Sequence, residues 1–212
     1  PEEYSPKFSQ IIKLRDVCPN IAVKLSPAID YKRLNIPSNS TLEFVSENGT
    51  LKEILLCMGT LSPENCERKA VLLPSELILK NSNVKIEIVE IQKYLFEPDP
   101  AIIRAGLVQE LGSKIDYKLI DKKLALLTGS QISNTDFGKL YIVKQIIKYD
   151  IKQVRKYIRE NEIGELIIKT RGFPESVEQF RKKIKLKGKS SVIMFILRKG
   201  DDHIIIFAQI AK

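Results

Sequence analysis

The 212 residues are 43% hydrophobic and 29% charged with 10 Gly and 10 Pro, which suits one large folded domain or two small ones and excludes a disordered or repetitive chain. Three cysteines without a C-x-x-C pair, and His203 as the one histidine, argue against a structural zinc site and a disulfide scaffold. No apolar run nears the roughly 20 residues that span a bilayer, and no signal peptide opens the chain, so a soluble, cytoplasmic protein without a membrane partner is expected.

The net charge of +9 is unevenly placed. Residues 1–98 hold 12 basic and 13 acidic side chains, residues 99–138 hold 5 and 5, and residues 139–212 hold 18 and 8. The whole excess therefore lies in the last third, which points to an anionic partner, with a merely solvated basic surface as the other reading.

In chain order, Ser5 to Val17 reads as a helix with Pro6 in its first turn, followed by a strand over Asn20 to Leu25 of the kind buried in a parallel sheet. A second strand is expected over Thr41 to Glu47, a turn at Asn48-Gly49 and a short helix over Leu51 to Met58. Further strands are expected at Ala70 to Leu73 and, by alternation, at Val84 to Ile91. Asp99 and Pro100 read as the N-cap and first residue of a helix over Ala101 to Leu111. A strand over Lys139 to Lys148, a helix over Ile151 to Arg159 capped by Asp150, and a strand over Glu165 to Thr170 ended by Gly172 follow. A helix beginning at Pro174-Glu175, with Val177, Phe180 and Ile184 on its apolar face, leads to strands at Val192 to Leu197 and His203 to Ile210 about a Gly200-Asp201-Asp202 turn. The order β-α-β-α-β-β can cover one sheet face with two helices and leave the other face or an edge for a partner.

The densest chemical signal is Arg181, Lys182, Lys183, Lys185, Lys187 and Lys189, running from the second helix of this module into the loop before the next strand. Such long cations reach phosphates without fixed geometry. Lys169 and Arg171, at the end of the preceding strand, are expected to extend them into one continuous patch. Phe173 either stacks on a base or staples the following helix. No complete catalytic site is visible: Glu97 and Asp99 lack a partner site, His203 lacks a placed nucleophile, and Lys24, Ser26 and Asp30 border a pocket only with a further half-domain. The glycines form no G-x-G-x-x-G, so no nucleotide-binding turn is expected.

Lys24 to Asp30 (KLSPAID), Tyr94 to Val108 (YLFEPDPAIIRAGLV), Leu124 to Gly129 (LALLTG), Ile168 to Phe173 (IKTRGF) and Arg181 to Gly188 (RKKIKLKG) resemble, in order and spacing, the class I S-adenosylmethionine-dependent methyltransferases with a THUMP-like C-terminal domain. The resemblance implies an α/β chain: an incomplete Rossmann-like methyltransferase half over residues 1–92, a connecting helical segment over 93–130, and a basic, ferredoxin-like THUMP-like domain over 131–212. It implies RNA, structured RNA such as tRNA or rRNA, as the partner. In the family a glycine-rich cofactor motif and an acidic-proline motif precede a Tyr-Ser-Pro stretch, which here is Tyr4-Ser5-Pro6. The chain is therefore expected to be the RNA-docking, C-terminal portion of a methyltransferase, a truncated fragment inactive alone, with S-adenosylmethionine bound by the full-length parent and no cofactor here. A stand-alone RNA- or ribosome-binding protein and a protein-protein adaptor are the competing classes.

Overall fold

The computed structural model describes residues 5–62 and 66–211, so Tyr4 of the Tyr4-Ser5-Pro6 stretch lies outside the described residues. The chain forms two units: one of Pro1–Ile86, Pro98–Ile115 and Thr135–Gly138, the other of Glu87–Glu97, Asp116–Asn134 and Lys139–Lys212. The connecting segment expected over 93–130 is thus shared between both units. Part of it is helix and part is strand, and the strands hydrogen-bond into the second unit's sheet.

The first unit opens with α1 (Phe8–Lys13) and β1 (Ala22–Leu25). Its centre is the hairpin of β2 (Ser40–Glu47) and β3 (Thr50–Met58), turned by Asn48 and Gly49 at φ 50° and 73°, the left-handed pair a tight hairpin turn requires. The helix expected over Leu51 to Met58 is therefore β3. Leu51, Ile54 and Leu55 have helical spacing, but pairing of Thr50 with Glu47 across the turn recruits the segment into the sheet, where Ile54, Leu56 and Met58 are fully buried. With β4 (Arg68–Leu73) and β5 (Leu77–Lys80) the sheet order is β1-β3-β2-β4-β5, parallel only between β2 and β4. β1 is accordingly an antiparallel end strand, mostly unburied, and not the buried parallel strand its composition suggests.

Asp99 caps α2 (Pro100–Ala105), its carboxylate accepting the Ala101 amide at 2.8 Å. The helix expected to run to Leu111 breaks at Gly106 (φ 72°) and resumes as α3 (Val108–Ile115). α2 packs on β2, β3 and β4 through Ala101, Ile102 and Ala105, and Arg68 donates to the Ala105 carbonyl at 2.7 Å. The strand expected over Val84 to Ile91 is an extended run with one isolated bridge, Ile88 to Leu119. Its alternation is real, but the Ile86 amide is taken by the Gln109 side chain (3.2 Å) and not by a neighbouring strand.

The second unit is one sheet in the order β10-β11-β12-β9-β6-β8-β7. Three of these strands, β6 (Tyr94–Pro98), β7 (Lys118–Leu119) and β8 (Leu127–Gly129), are short. The rest follow the expected β-α-β-α-β-β order: β9 (Gly138–Lys148), α4 (Ile151–Glu160), β10 (Ile163–Arg171), α5 (Val177–Arg181), β11 (Ser190–Lys199) and β12 (Asp202–Ile210). β11 is buried on both sides, which its unbroken apolar run requires. Val192, Met194 and Ile196 meet Val154, Ile158 and Phe180 of the two helices, whereas Ile193, Phe195 and Leu197 meet Ile120, Leu124 and Leu126. The second face is thus covered from within the chain, and the sheet ends on β10 at one side and β7 at the other.

Candidate nucleic-acid interface

The lysine-rich segment owes its shape to the residues between the lysines. α5 is fixed by a capping box in which Ser176 Oγ accepts the Gln179 amide (3.2 Å) and Gln179 Oε1 accepts the Ser176 amide (3.0 Å), while Phe180 is buried beneath it. Beyond it Ile184 and Leu186 pack onto the helix-side core, and Lys185, Lys187 and Lys189 alternate with them and stand exposed. The segment is tied down by Gly188 N–H to the Ile163 carbonyl (3.2 Å) and Ser190 N–H to Glu162 (2.9 Å). Gly188 lies so close to this neighbour that a Cβ there would stand 1.6 Å from the Glu162 carbonyl oxygen.

The cations of this cluster are not equivalent. Arg181 donates to the Leu166 carbonyl at 2.8 Å and anchors α5 to β10. Lys183 holds both Glu175 oxygens at 2.7 and 2.6 Å, and this hydrogen bond raises its ammonium pKa. Lys182, Lys185, Lys187 and Lys189 are exposed and make no ion pair among the described residues. Arg155 of α4 donates to the Lys183 carbonyl at 2.8 Å, joining that helix to the loop. The outer face of α4 adds Lys152, Arg155, Lys156 and Arg159, with Lys156 loosely paired to Glu160 at 3.9 Å. Sequence reading passes over these four, although their i, i+3, i+4 recurrence opposite Val154 and Ile158 is the signal that places them together.

Lys169 and Arg171 are placed elsewhere. β10 runs parallel to β11 with Ile163 opposite Ser190 and Arg171 opposite Leu197. Eight residues of strand, about 26 Å, separate Arg171 from the end where Lys189 lies. The continuous patch expected from the sequence is therefore two separate basic regions. Lys169 and Arg171 also have a carboxylate of their own: Glu97 of β6, 12% exposed, binds Lys169 Nζ through Oε2 and Arg171 Nη2 through Oε1 at 3.1 Å. Tyr141 donates to Glu97 at 2.8 Å, and burial, then the Glu97 charge, raises its phenol pKa. Phe173 packs against Tyr149 (5.2 Å), His203 (5.5 Å) and Phe180 (6.1 Å), so its ring staples α5.

The remaining candidates are satisfied locally. His203 Nε2 faces the Gly172 carbonyl at 3.3 Å. Lys24 pairs with Glu53 (2.6 Å), Asp30 with Arg33 (2.9 Å), and Ser26 Oγ accepts the Ala28 amide (3.3 Å). Lys24 and Ser26 do border a small cavity of about 240 Å³, but its other walls, Phe8 and Ile11 among them, come from this chain. Burial, and then Glu43, pushes the Cys57 thiol up to about 11, which keeps it an inert thiol. Among the described residues no cluster of His, Cys, Asp and Glu could hold a metal, and no helix is long and apolar enough to cross a membrane.

Residues 138–209, the β9–β12 module, match the family model described as THUMP domain-like. Over 183 residues the chain is 25% identical to an uncharacterized S-adenosylmethionine-dependent methyltransferase of Mycobacterium tuberculosis, in strains CDC 1551 / Oshkosh and H37Rv, covering 85% of this chain and 51% of that protein. The chain thus spans about half the length of the curated relatives it matches. The crystal structure of a candidate methyltransferase from Porphyromonas gingivalis W83 has the same fold, with a TM-score of 0.79 at 21% identity over 100% of this chain and 56% of that one. Over most of its length the chain is therefore similar to proteins described as S-adenosylmethionine-dependent methyltransferases, and its two mixed sheets combine a methyltransferase-like fold with a ferredoxin-like, THUMP-like domain.

Proposed function

We propose that this chain is the RNA-docking portion of an S-adenosylmethionine-dependent RNA methyltransferase, and that the docking surface is the outer face of α4 with the loop after α5. The observation that carries the reading is the alternation in that loop: Ile184 and Leu186 fix it to the core, while Lys182, Lys185, Lys187 and Lys189 project without an acidic partner among the described residues. Unpaired ammonium groups on a rigid extended segment neutralise a phosphate backbone at little ordering cost. Lys169, Arg171 and Phe173, expected in the same interface, are engaged by Glu97 and by the aromatic cluster, and they support the module more than they dock RNA. Structured RNA such as tRNA or rRNA, the class the resemblance implies, is the partner proposed.

The residues present do not fit the cofactor. In the first unit Gly49 turns a hairpin, Gly59 opens only a three-residue 3-10 turn after β3 and sits against Pro19, Gly106 ends α2, Gly112 lies inside α3 and Gly138 begins β9, so none opens an α-helix after a strand as a nucleotide-binding turn does. In this reading S-adenosylmethionine is held by residues outside this chain, which spans 51% of the curated relatives it matches.

The test is binding of the full chain to a folded tRNA, a single-stranded RNA and a poly-glutamate peptide across a salt series. Salt-sensitive binding to tRNA, with the peptide bound weakly, supports docking. Equal binding of the peptide would identify an adaptor for acidic protein, and no RNA binding at low salt would leave the charge as a solvated surface.

A further inference from the structure

The second basic region, at the far end of the same sheet, is built as a groove. It encloses about 640 Å³ and draws Lys122 and Lys123 from the turn before Leu124, Arg171 from the end of β10 and Arg198 from the end of β11. Against these four cations the lining contains one carboxylate, Asp121, whose Oδ1 already accepts the Lys123 amide at 2.7 Å. Lys122 and Lys123 are exposed and make no ion pair among the described residues. Arg198 keeps Nε on the Gly200 carbonyl (3.2 Å), and Asp201 stands 3.8 Å from its Nη2, too far for a hydrogen bond. Arg171 is braced by Glu97 and by the Thr170 carbonyl (3.0 Å), so its guanidinium is oriented before any ligand arrives.

The uncharged walls matter as much. Gly172, at φ 68°, lies against Arg198, where a Cβ would come within 3.0 Å of the arginine's own Cβ, so a side chain would crowd the groove at this point. Ile88, 44% exposed, and Leu124 supply apolar surface beside the cations. Glu97 already answers Arg171, and a single carboxylate would still leave charge among Lys122, Lys123 and Arg198 uncompensated. A phosphate monoester carries close to two charges at neutral pH, accepts from the guanidinium fork in pairs, and brings a sugar and base to cover apolar walls.

We propose that this groove binds a phosphate monoester, the terminal phosphate of a nucleotide that is either free or at the end of an RNA strand. The site lies apart from the lysine loop and does not depend on the docking reading.

The test titrates the full, isotope-labelled chain with adenosine 5′-monophosphate, with adenosine, and with one tetranucleotide carrying either a 5′-phosphate or a 5′-hydroxyl. The phosphorylated probes should shift the Gly172 and Gly200 amides, and the unphosphorylated ones should not. Binding should strengthen severalfold from pH 5 to 7, as the monoester loses its second proton near pH 6. Lys122→Gln/Lys123→Gln should weaken binding at least 10-fold, whereas Lys185→Gln/Lys187→Gln should leave it unchanged. Equal affinity for mononucleotide and tetranucleotide identifies a free nucleotide as ligand, and a marked preference for the tetranucleotide identifies an RNA end. Equal binding of phosphorylated and unphosphorylated probes, or indifference to the Lys122/Lys123 pair, would overturn the proposal. Loss of tRNA binding in the loop variant with the groove intact, or the reverse, separates the two sites.

Discussion

Glu97 is the residue on which the second unit's polar interior turns, and removing its carboxylate tests that directly. It is 12% exposed and serves Lys169 (24% exposed), Arg171 (42% exposed) and the Tyr141 hydroxyl at once. Breaking a buried ion pair from one side costs about 3–5 kcal/mol because the other charge is left unpaired in low dielectric. Lys169 is close to that case, although Tyr141 remains beside it at 2.9 Å. Arg171 is open enough to rehydrate, which reduces its share to at most about 1 kcal/mol. Glu97→Ala should therefore destabilise by about 3 kcal/mol, and Glu97→Gln, which keeps an acceptor for Tyr141, by about 1.5 kcal/mol. With a urea slope of about 2 kcal/mol/M, the alanine variant's midpoint should fall by about 1.5 M in equilibrium unfolding followed by circular dichroism. Hydrogen exchange should place the loss in β9 and β10. A shift below about 0.3 M, or equal effects of Ala and Gln, would refute the picture of one carboxylate holding two cations.

Tyr141 and Tyr117 are both held protonated by burial, Tyr117 up to about 12, so native phenols bind protons that unfolded ones release near pH 10. Their stabilisation is complete below that pH and is lost as pH rises through it. Thermal unfolding from pH 8 to 11.5 should show a falling Tm above about pH 10, with a shallower fall in Tyr141→Phe. Gly188→Ala forces a Cβ into the Glu162 carbonyl, which should cost about 2–3 kcal/mol and weaken RNA binding with every lysine retained. A stable variant with unchanged affinity would contradict the fixed loop. Phe173→Ala should cost about 2 kcal/mol in chemical denaturation but bind single-stranded RNA like the parent, because its ring is used in packing. Loss of affinity without loss of stability would restore base stacking.

The C-terminal module was legible because its punctuation is local: Asp150 caps α4, Gly172 ends β10, and Gly200-Asp201 turns β11 onto β12. The first unit is less legible in its sequence, for an equally local reason. Leu51, Ile54 and Leu55 satisfy a helical period as well as a strand, and the decision lies in the Asn48-Gly49 turn, which commits the segment to pair with β2. Val84 to Ile91 alternates like a strand, yet the Gln109 side chain that takes its Ile86 amide is 23 residues away in sequence. The lysine cluster could be named residue by residue. Its division could not, because the parallel register of β10 on β11 decides that Arg171 and Lys189 lie at opposite ends. Nor does the sequence disclose which cations are already paired: Lys183 and Lys182 are neighbours, and only the fold brings Glu175 to one of them.

The salt dependence of tRNA binding in the loop variant tests the central claim most directly. Each phosphate contact contributes about 0.9 to the slope of log K against log salt. Lys182→Gln/Lys185→Gln/Lys187→Gln/Lys189→Gln should therefore flatten the slope by about 3–4 and weaken binding at every sequence, while Lys183→Gln alone, its ammonium already held by Glu175, should change it little. An unchanged slope in the quadruple variant would mean that RNA is met elsewhere on the protein or not at all.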